Sequence, residues 1–364
     1  VKIVFVSDSD QPAASGVGDY TLTLCSYLRT QGIEASVQSL GAPDSSLRAS
    51  LAERVQQNNP DWVSLQFVPY AYANRGLVRS STLPWRKLRG HLGTHIMFHE
   101  PWIGAHVGAS LRERAVGLLQ REGIKRAMRE LQPNLVNSTN PLYCSMLFQS
   151  GIPSTRLPLF GNIPIQPETS DPYSELITTF TRDMSRSDWV VAAFFGRIHP
   201  STNLLAAVRR LHSKFRFQAK RLLMVSLGHC PSAVSTFKTL AHHFPHDDAP
   251  HFLVQGMMEP AALSSWMRYS DCALSTTPFI VIEKSSSAVS FVEHGVPVIV
   301  IDAGAPVRGV SLSNQDLAPD YWLFGDKRLD SYEILPPRRE PQPRIGLIGH
   351  RFMTTLYGYG SCAT

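Results

Sequence analysis

Four segments of this 364-residue chain bring together residue types that handle anions and protons. In SGVGDY (15–20), Gly16 and Gly18 follow a short apolar run and open a helical pattern. Glycines there would let the backbone approach a ligand, and the first N–H groups of the helix would receive an anion. Asp19 adds a carboxylate able to accept a proton. A tight strand-to-helix turn needs glycine in any case, and G-x-G-D is short of the full G-x-G-x-x-G of a dinucleotide site. In FHEPW (98–102), His99 and Glu100 follow another apolar run; an imidazole or carboxylate held there can donate or accept a proton, or simply satisfy its loop. In FFGRIHPSTN (194–203), Arg197 offers the bidentate geometry that fits a diphosphate, an ordinary surface arginine being the plainer alternative. The fourth, SDCALSTTPFIVIEKSSSAVSFVEHGVPVIVI (270–301), runs from a strand through Glu283 and Lys284 into a helix opened by Ser285, Ser286 and Ser287. Serine caps such a helix, the N–H groups it leaves can hold phosphate oxygens, and Lys284 would add a point charge.

The elements that must position these residues alternate along the whole chain. Strand-like runs occur at 2–6, 34–40, 62–67, 94–98, 134–138 and 156–160, and again at 189–195, 221–227, 251–255, 271–275, 297–301 and 321–324, with helical patterns between them. Strand, helix, strand, repeated, predicts parallel sheets covered on both faces. The expected fold class is α/β, with two Rossmann-like doubly wound parallel-sheet domains. PIQPETSDP (164–172) breaks all periodicity, so the expected domains are 1–165 and 166–340, followed by a linker and terminal helix over 341–364. Ligands of open parallel sheets bind outside the carboxyl ends of the strands, which directs attention to the loops after the first and seventh runs.

Composition narrows the function classes. The chain is 43% hydrophobic and 18% charged, which excludes wholesale disorder. No apolar run approaches the roughly 18 residues of a spanning helix, and VKIVFVSDSD reads as a strand and loop, not as a signal peptide. Cys25, Cys144, Cys230, Cys272 and Cys362 are too scattered for a disulfide framework or zinc site, which predicts reduced thiols in a cytoplasmic protein. The net charge of +6 is mild. Its distribution is less so: no acidic residue falls between Asp61 and Glu100, while Arg75, Arg79, Arg86, Lys87 and Arg89 do. That stretch and the helix pattern 111–131, with six basic and three acidic residues, predict peripheral contact with anionic membrane or a lipid-linked acceptor, against an ordinary solvated surface. No nucleic-acid module is recognisable. SDSD (7–10) has the letters of a metal motif in the wrong loop, and no metal site is expected.

In their order along the chain, SGVGDY, FGRIHP and EKSSSAVSFVEHGVPVIV resemble the motifs of GT-B glycosyltransferases. The resemblance is to the group containing glycogen synthase and bacterial lipid mannosyltransferases, the family 4 type. It extends over residues 1 to about 305 as architecture, and specific motifs occupy a small part of that. It implies an acceptor domain followed by a donor domain, with a nucleoside-diphosphate sugar as co-substrate and no separate cofactor. Gly16 and Gly18 would approach the donor, Arg197 would bind its diphosphate, Glu283 would lie near the sugar or phosphates, the 285–293 helix would cradle the phosphates, and His99 would face the transferred sugar. Two departures stand out. Thr202 occupies a position where such enzymes carry lysine, and Ser290 one where they carry a ribose-binding glutamate. The implied activity is metal-independent glycosyl transfer to a small-molecule, glycan or lipid-linked hydroxyl, with retention expected; inversion would need a base, for which Asp19 and Glu100 are the candidates. A sugar-nucleotide epimerase on the same fold and a non-catalytic partner protein are the alternatives.

Overall fold

The computed structural model describes residues 1–11, 15–42, 46–167, 170–180, 184–310, 319–330 and 335–360. Among these residues twelve strands form two six-stranded sheets, with every strand pairing parallel. The first holds β1 (Lys2–Ser7), β2 (Glu34–Ser39), β3 (Trp62–Phe67), β4 (Gly93–Phe98), β5 (Leu135–Ser138) and β6 (Thr155–Arg156), in the order β2-β1-β3-β4-β5-β6. The second holds β7 (Trp189–Phe195), β8 (Arg221–Leu227), β9 (His251–Gly256), β10 (Cys272–Ser275), β11 (Val298–Val300) and β12 (Tyr321–Leu323), in the order β12-β11-β10-β7-β8-β9. Eleven of the expected runs are strands to within a residue at either end. The run at 156–160 meets its strand, Thr155–Arg156, at Arg156 alone, because Pro158 has no N–H to give a ladder.

The helices used below are α1 (Gly16–Thr30), α2 (Leu111–Leu131), α3 (Pro141–Gln149), α4 (Leu204–Phe217), α5 (Ser286–Glu293) and α6 (Ile345–Gly360). Their ends follow the capping chemistry of the sequence. Ser15 Oγ accepts the Gly18 N–H at 2.8 Å, and Ser110 and Glu113 form a reciprocal capping box at the start of α2. No described helix is long and apolar enough to cross a membrane.

The chain divides into two compact units. The first comprises Val1–Leu159, Ala305–Leu317 and Ile345–Thr364, and the second Phe160–Gly304 and Ala318–Arg344. In the first, Val4, Val6, Leu65, Phe67, Ile96 and Phe98 pack one sheet face against Ile124, Ala127 and Leu131 of α2. Alternation sends Phe5 to the other face, where its ring lies 5.9 Å from that of Phe352 on α6. The last helix is thus part of the first core. In the second unit Ala192, Phe194, Leu222 and Met224 pack with Val208, Leu211 and Phe215 of α4.

Candidate functional site

In the second unit the chain builds β7, β8 and β9 outward in one direction and then places β10 on the other side of β7. The carboxyl ends of β7 and β10 therefore flank a topological switch point, where open α/β sheets leave a crevice. A pocket of about 190 Å³ opens there, lined by Arg197 and His199 from the loop after β7, Ser275 and Thr277 from the end of β10, and Ser285 and Ser287 at the start of α5. Gly196, at φ +75°, turns the chain out of β7, and a Cβ there would lie 3.1 Å from Ser287 Oγ. His199 N–H donates to Thr276 Oγ1 at 2.8 Å, tying the two loops together. Ser285 Oγ accepts the Ala288 N–H at 3.3 Å as the α5 cap. Ser286 begins the helix, and its carbonyl accepts from Ser290 Oγ at 2.9 Å.

The electrostatics of this corner are cationic. Burial, followed by the nearby charges of Arg197 and Lys284, holds His199 below its ordinary pKa. Arg197 is exposed, whereas Lys284 is half-buried at the end of the turn Phe279–Lys284. Glu283, beside it, is buried. The turn is held from behind by Phe279 N–H on Asp302 O at 2.8 Å and Ile280 N–H on Ala303 O at 3.2 Å. Arg197 and the start of α5 line one crevice, and Lys284 is near enough to act on His199; an arginine beside a helix N-terminus is an arrangement able to hold an anion.

In the first unit, His99 follows β4 and its N–H donates to Phe67 O at 3.0 Å. His99 is 7% exposed, and its ring stands edge-on to Tyr20 of α1, centroids 5.1 Å apart. Asp19, half-buried in the first turn of α1, precedes Tyr20 in the chain. Burial, with a smaller contribution from His95, lowers the His99 pKa to about 3, so the imidazole is neutral at physiological pH.

The position of its proton follows from a hydrogen-bond chain across four strands. Thr155 O, a backbone carbonyl, can only accept, so Asn137 must point Nδ2 at it, at 3.1 Å, with a second bond to Thr155 Oγ1 at 2.7 Å. Asn137 Oδ1 then accepts from His95 Nε2 at 3.0 Å, and His95 Nδ1 accepts from Ser64 Oγ at 2.8 Å. Ser64 Oγ accepts from Gln66 Nε2 at 2.9 Å, which turns Gln66 Oε1 toward His99 Nε2, 2.9 Å away. His99 therefore carries its proton on Nε2 and keeps a lone pair on Nδ1. The sequence singles out His99 but not Gln66, His95 or Asn137. Polar residues inside apolar strand runs are the signal that was available.

The other first-unit candidates are placed more plainly. Gly16 is exposed as the first residue of α1, and a Cβ there would meet nothing within 4 Å. Gly18 is already inside the helix and buried against Ser9, with its N–H taken by the Ser15 cap. Of the two, Gly16 leaves the more open space. Glu100 is half-buried next to His99.

No family model matches the chain, and no curated protein sequence matches it. Solved structures do. The catalytic domain of starch synthase IV from Arabidopsis thaliana, bound to ADP and acarbose, is similar over 99% of this chain and 99% of its own, with a TM-score of 0.57 at 10% identity. Sucrose-phosphate synthase from Thermosynechococcus elongatus is similar over 82% of this chain and 80% of its own, with a TM-score of 0.53 at 15% identity. UDP-GlcNAc 2-epimerase from Methanocaldococcus jannaschii is similar over 98% of this chain and 99% of its own, with a TM-score of 0.51 at 11% identity. The chain has the GT-B fold.

Within this GT-B fold, the two departures noted in the sequence have structural contexts. Thr202 is exposed in the loop before α4. Ser290 is fully buried, with its Oγ 3.2 Å from Asn162 Oδ1, and a Cβ on Gly161 would lie 2.9 Å from Ser290 Cα. The chain segment covering Ser290 leaves no room there for a glutamate to reach outward. Glu293, the nearest acidic residue along the helix, is spoken for: its Oε1 accepts Gly161 N–H at 2.8 Å and Arg344 N–H at 3.1 Å. Burial pushes its pKa up, against the pull of those two backbone bonds. Among the described residues no group of three or more His, Cys, Asp or Glu could hold a metal ion, and Cys25, Cys144, Cys230 and Cys272 form no disulfide with one another. Cys362 lies outside the described residues.

Proposed function

We propose that this chain is a nucleotide-sugar-dependent glycosyltransferase of the family 4 type, moving a sugar from a nucleoside diphosphate to a hydroxyl acceptor. The observation that carries the reading is the second-unit pocket, where Arg197, Ser285, Ser287 and the start of α5 meet at the switch point of the sheet. As the glycosidic bond breaks, negative charge grows on the departing diphosphate. Arg197, Lys284 and the α5 N–H groups would stabilise it, a fixed donor at such a centre being worth about 2–4 kcal/mol. Protein charges would do this work without a metal. Glu283 would lie at the sugar end of the donor. The first unit would carry the acceptor, with His99 Nδ1 accepting a hydrogen bond from a sugar hydroxyl. Retention is proposed, and an inverted product anomer would instead direct attention to Asp19 or Glu100 as base.

Titration calorimetry with nucleoside diphosphates, followed by mass-spectrometric screening of donor hydrolysis over a panel of nucleotide sugars, tests this. Saturable diphosphate binding with turnover of one donor is expected. A second reading draws support from the similarity to a UDP-GlcNAc 2-epimerase. Conversion of a nucleotide sugar to its epimer without any acceptor would assign that activity instead. No affinity for any nucleoside diphosphate would leave a non-catalytic role, which the enclosed Ser290 favours.

A further inference from the structure

Helix α2 has two apolar faces. One, made of Gly117, Gln120, Gly123, Ile124, Ala127, Met128 and Leu131, is buried in the first unit. The other projects outward from its first turns: Leu111 is 81% exposed, Leu118 59% and Leu119 61%. Positions i, i+7 and i+8 share one side of a helix, and the preceding loop adds Val107 at 53%. Surface leucines scattered singly need no explanation, but leucines gathered on one pole of an otherwise charged helix do.

Arginines frame that pole. Arg112, Arg114 and Arg126 are exposed around it, and Arg121 stands on the Arg114 side, about two turns on. Of the acidic residues, Glu113 accepts from Ser110 N–H and Oγ in the capping box, both at 2.8 Å, and Glu122 sits 3.4 Å from Lys125. Beside Leu118 a pocket of about 250 Å³ opens, lined also by Arg114, Arg121, Trp102 and Arg308. Arg121 Nε is buried there without a hydrogen-bond partner among the described residues. Arg308 belongs to a segment that pairs with the loop before α2, its N–H donating to Ala105 O at 3.0 Å.

We infer that this face of the first unit docks on an anionic phospholipid bilayer, with Leu111, Leu118 and Leu119 entering the interface and the arginine-lined pocket beside them receiving lipid phosphate. The charge decides the occupant. A ring of arginines around leucines fits a surface that is apolar within and anionic at its rim, and long basic side chains can keep their heads in the headgroup layer. The inference stands independently of the reaction proposed above.

The test is flotation of this chain with phosphatidylcholine vesicles, with and without phosphatidylglycerol, at low and high salt. Binding to the phosphatidylglycerol vesicles, weakened by salt, is expected. Leu118→Ser with Leu119→Ser should reduce it by about tenfold or more, and Arg114→Ser by about fivefold. All three side chains are exposed, so circular dichroism and melting temperature should stay as in the wild type. Absence of flotation at low salt, or leucine and arginine variants that float like the wild type, would overturn the proposal. A concentration-dependent dimer in sedimentation that the leucine substitutions abolish would assign the face to a second copy of the chain and equally overturn it.

Discussion

At His99 the decisive fact is where one proton sits. The acceptor-only carbonyl of Thr155 sets the direction of every bond in the chain back to Gln66, so the imidazole meets any ligand as a neutral acceptor. Gln66→Glu replaces the amide by a carboxylate 2.9 Å from His99 Nε2. The His99 pKa should rise from about 3 by more than about one unit, as NMR titration of its ring protons would read. In Gln66→Leu the same ring should lose its fixed Nε2–H tautomer, and an unchanged ¹⁵N pattern would detach the chain from that role. In the second unit, Arg197→Ala should weaken nucleoside diphosphate binding by about 1.5–3 kcal/mol, the worth of a charged hydrogen bond; an unaltered calorimetric affinity would remove the side chain from the pocket. Sequence led to His99 and Arg197 because both stand where apolar runs end. It did not lead to Gln66 or Asn137, since a buried polar residue shows its purpose only through a partner on another strand. Ser290 and Glu293 were opaque for the same reason, their contacts lying with Gly161 and Arg344 far along the chain.

Among the elements, α2 shows how tightly a helix can be seated. A Cβ on Gly117 would lie 1.9 Å from Ile103 O, and one on Gly123 would lie 2.1 Å from Val78 O. Backbone rests on backbone at both places. Gly117→Ala and Gly123→Ala should each destabilise by about 1–3 kcal/mol in urea denaturation, despite the better helix propensity of alanine. A stabilised variant would mean that the 102–104 or 77–78 segment yields easily. The span of α2 and the twelve strands were legible in the sequence because each carries its own periodicity and its own stops. The two-residue length of β6 was less so, and the reason is local: Pro158 interrupts a run that is otherwise apolar enough to continue. What glycines within α2 accomplish could not be read from their number or spacing, because the carbonyls they admit come from distant loops.

On the scale of the whole molecule, the buried histidines tie stability to acidity. Burial lowers His95 to about 4 and His99 to about 3, while the unfolded chain would protonate both near 6.5. Between those values the unfolded state binds more protons, so stability is full above pH 6.5 and falls on acidification. The loss is about 1.4 kcal/mol per histidine per pH unit until the folded values are reached. Urea midpoints measured from pH 7 down to pH 5 should show this slope, and His99→Gln should flatten it; a flat wild-type profile would mean that the rings are protonated in the fold. The placing of α6 has a different consequence. Ile348, Phe352 and Leu356 are almost fully buried in the unit that begins at Val1. A ribosome translating this chain has released the whole second unit before it delivers the residues that cover Phe5. The amino-terminal sheet must therefore wait with one flank open to water, so the half synthesised first is the half completed last.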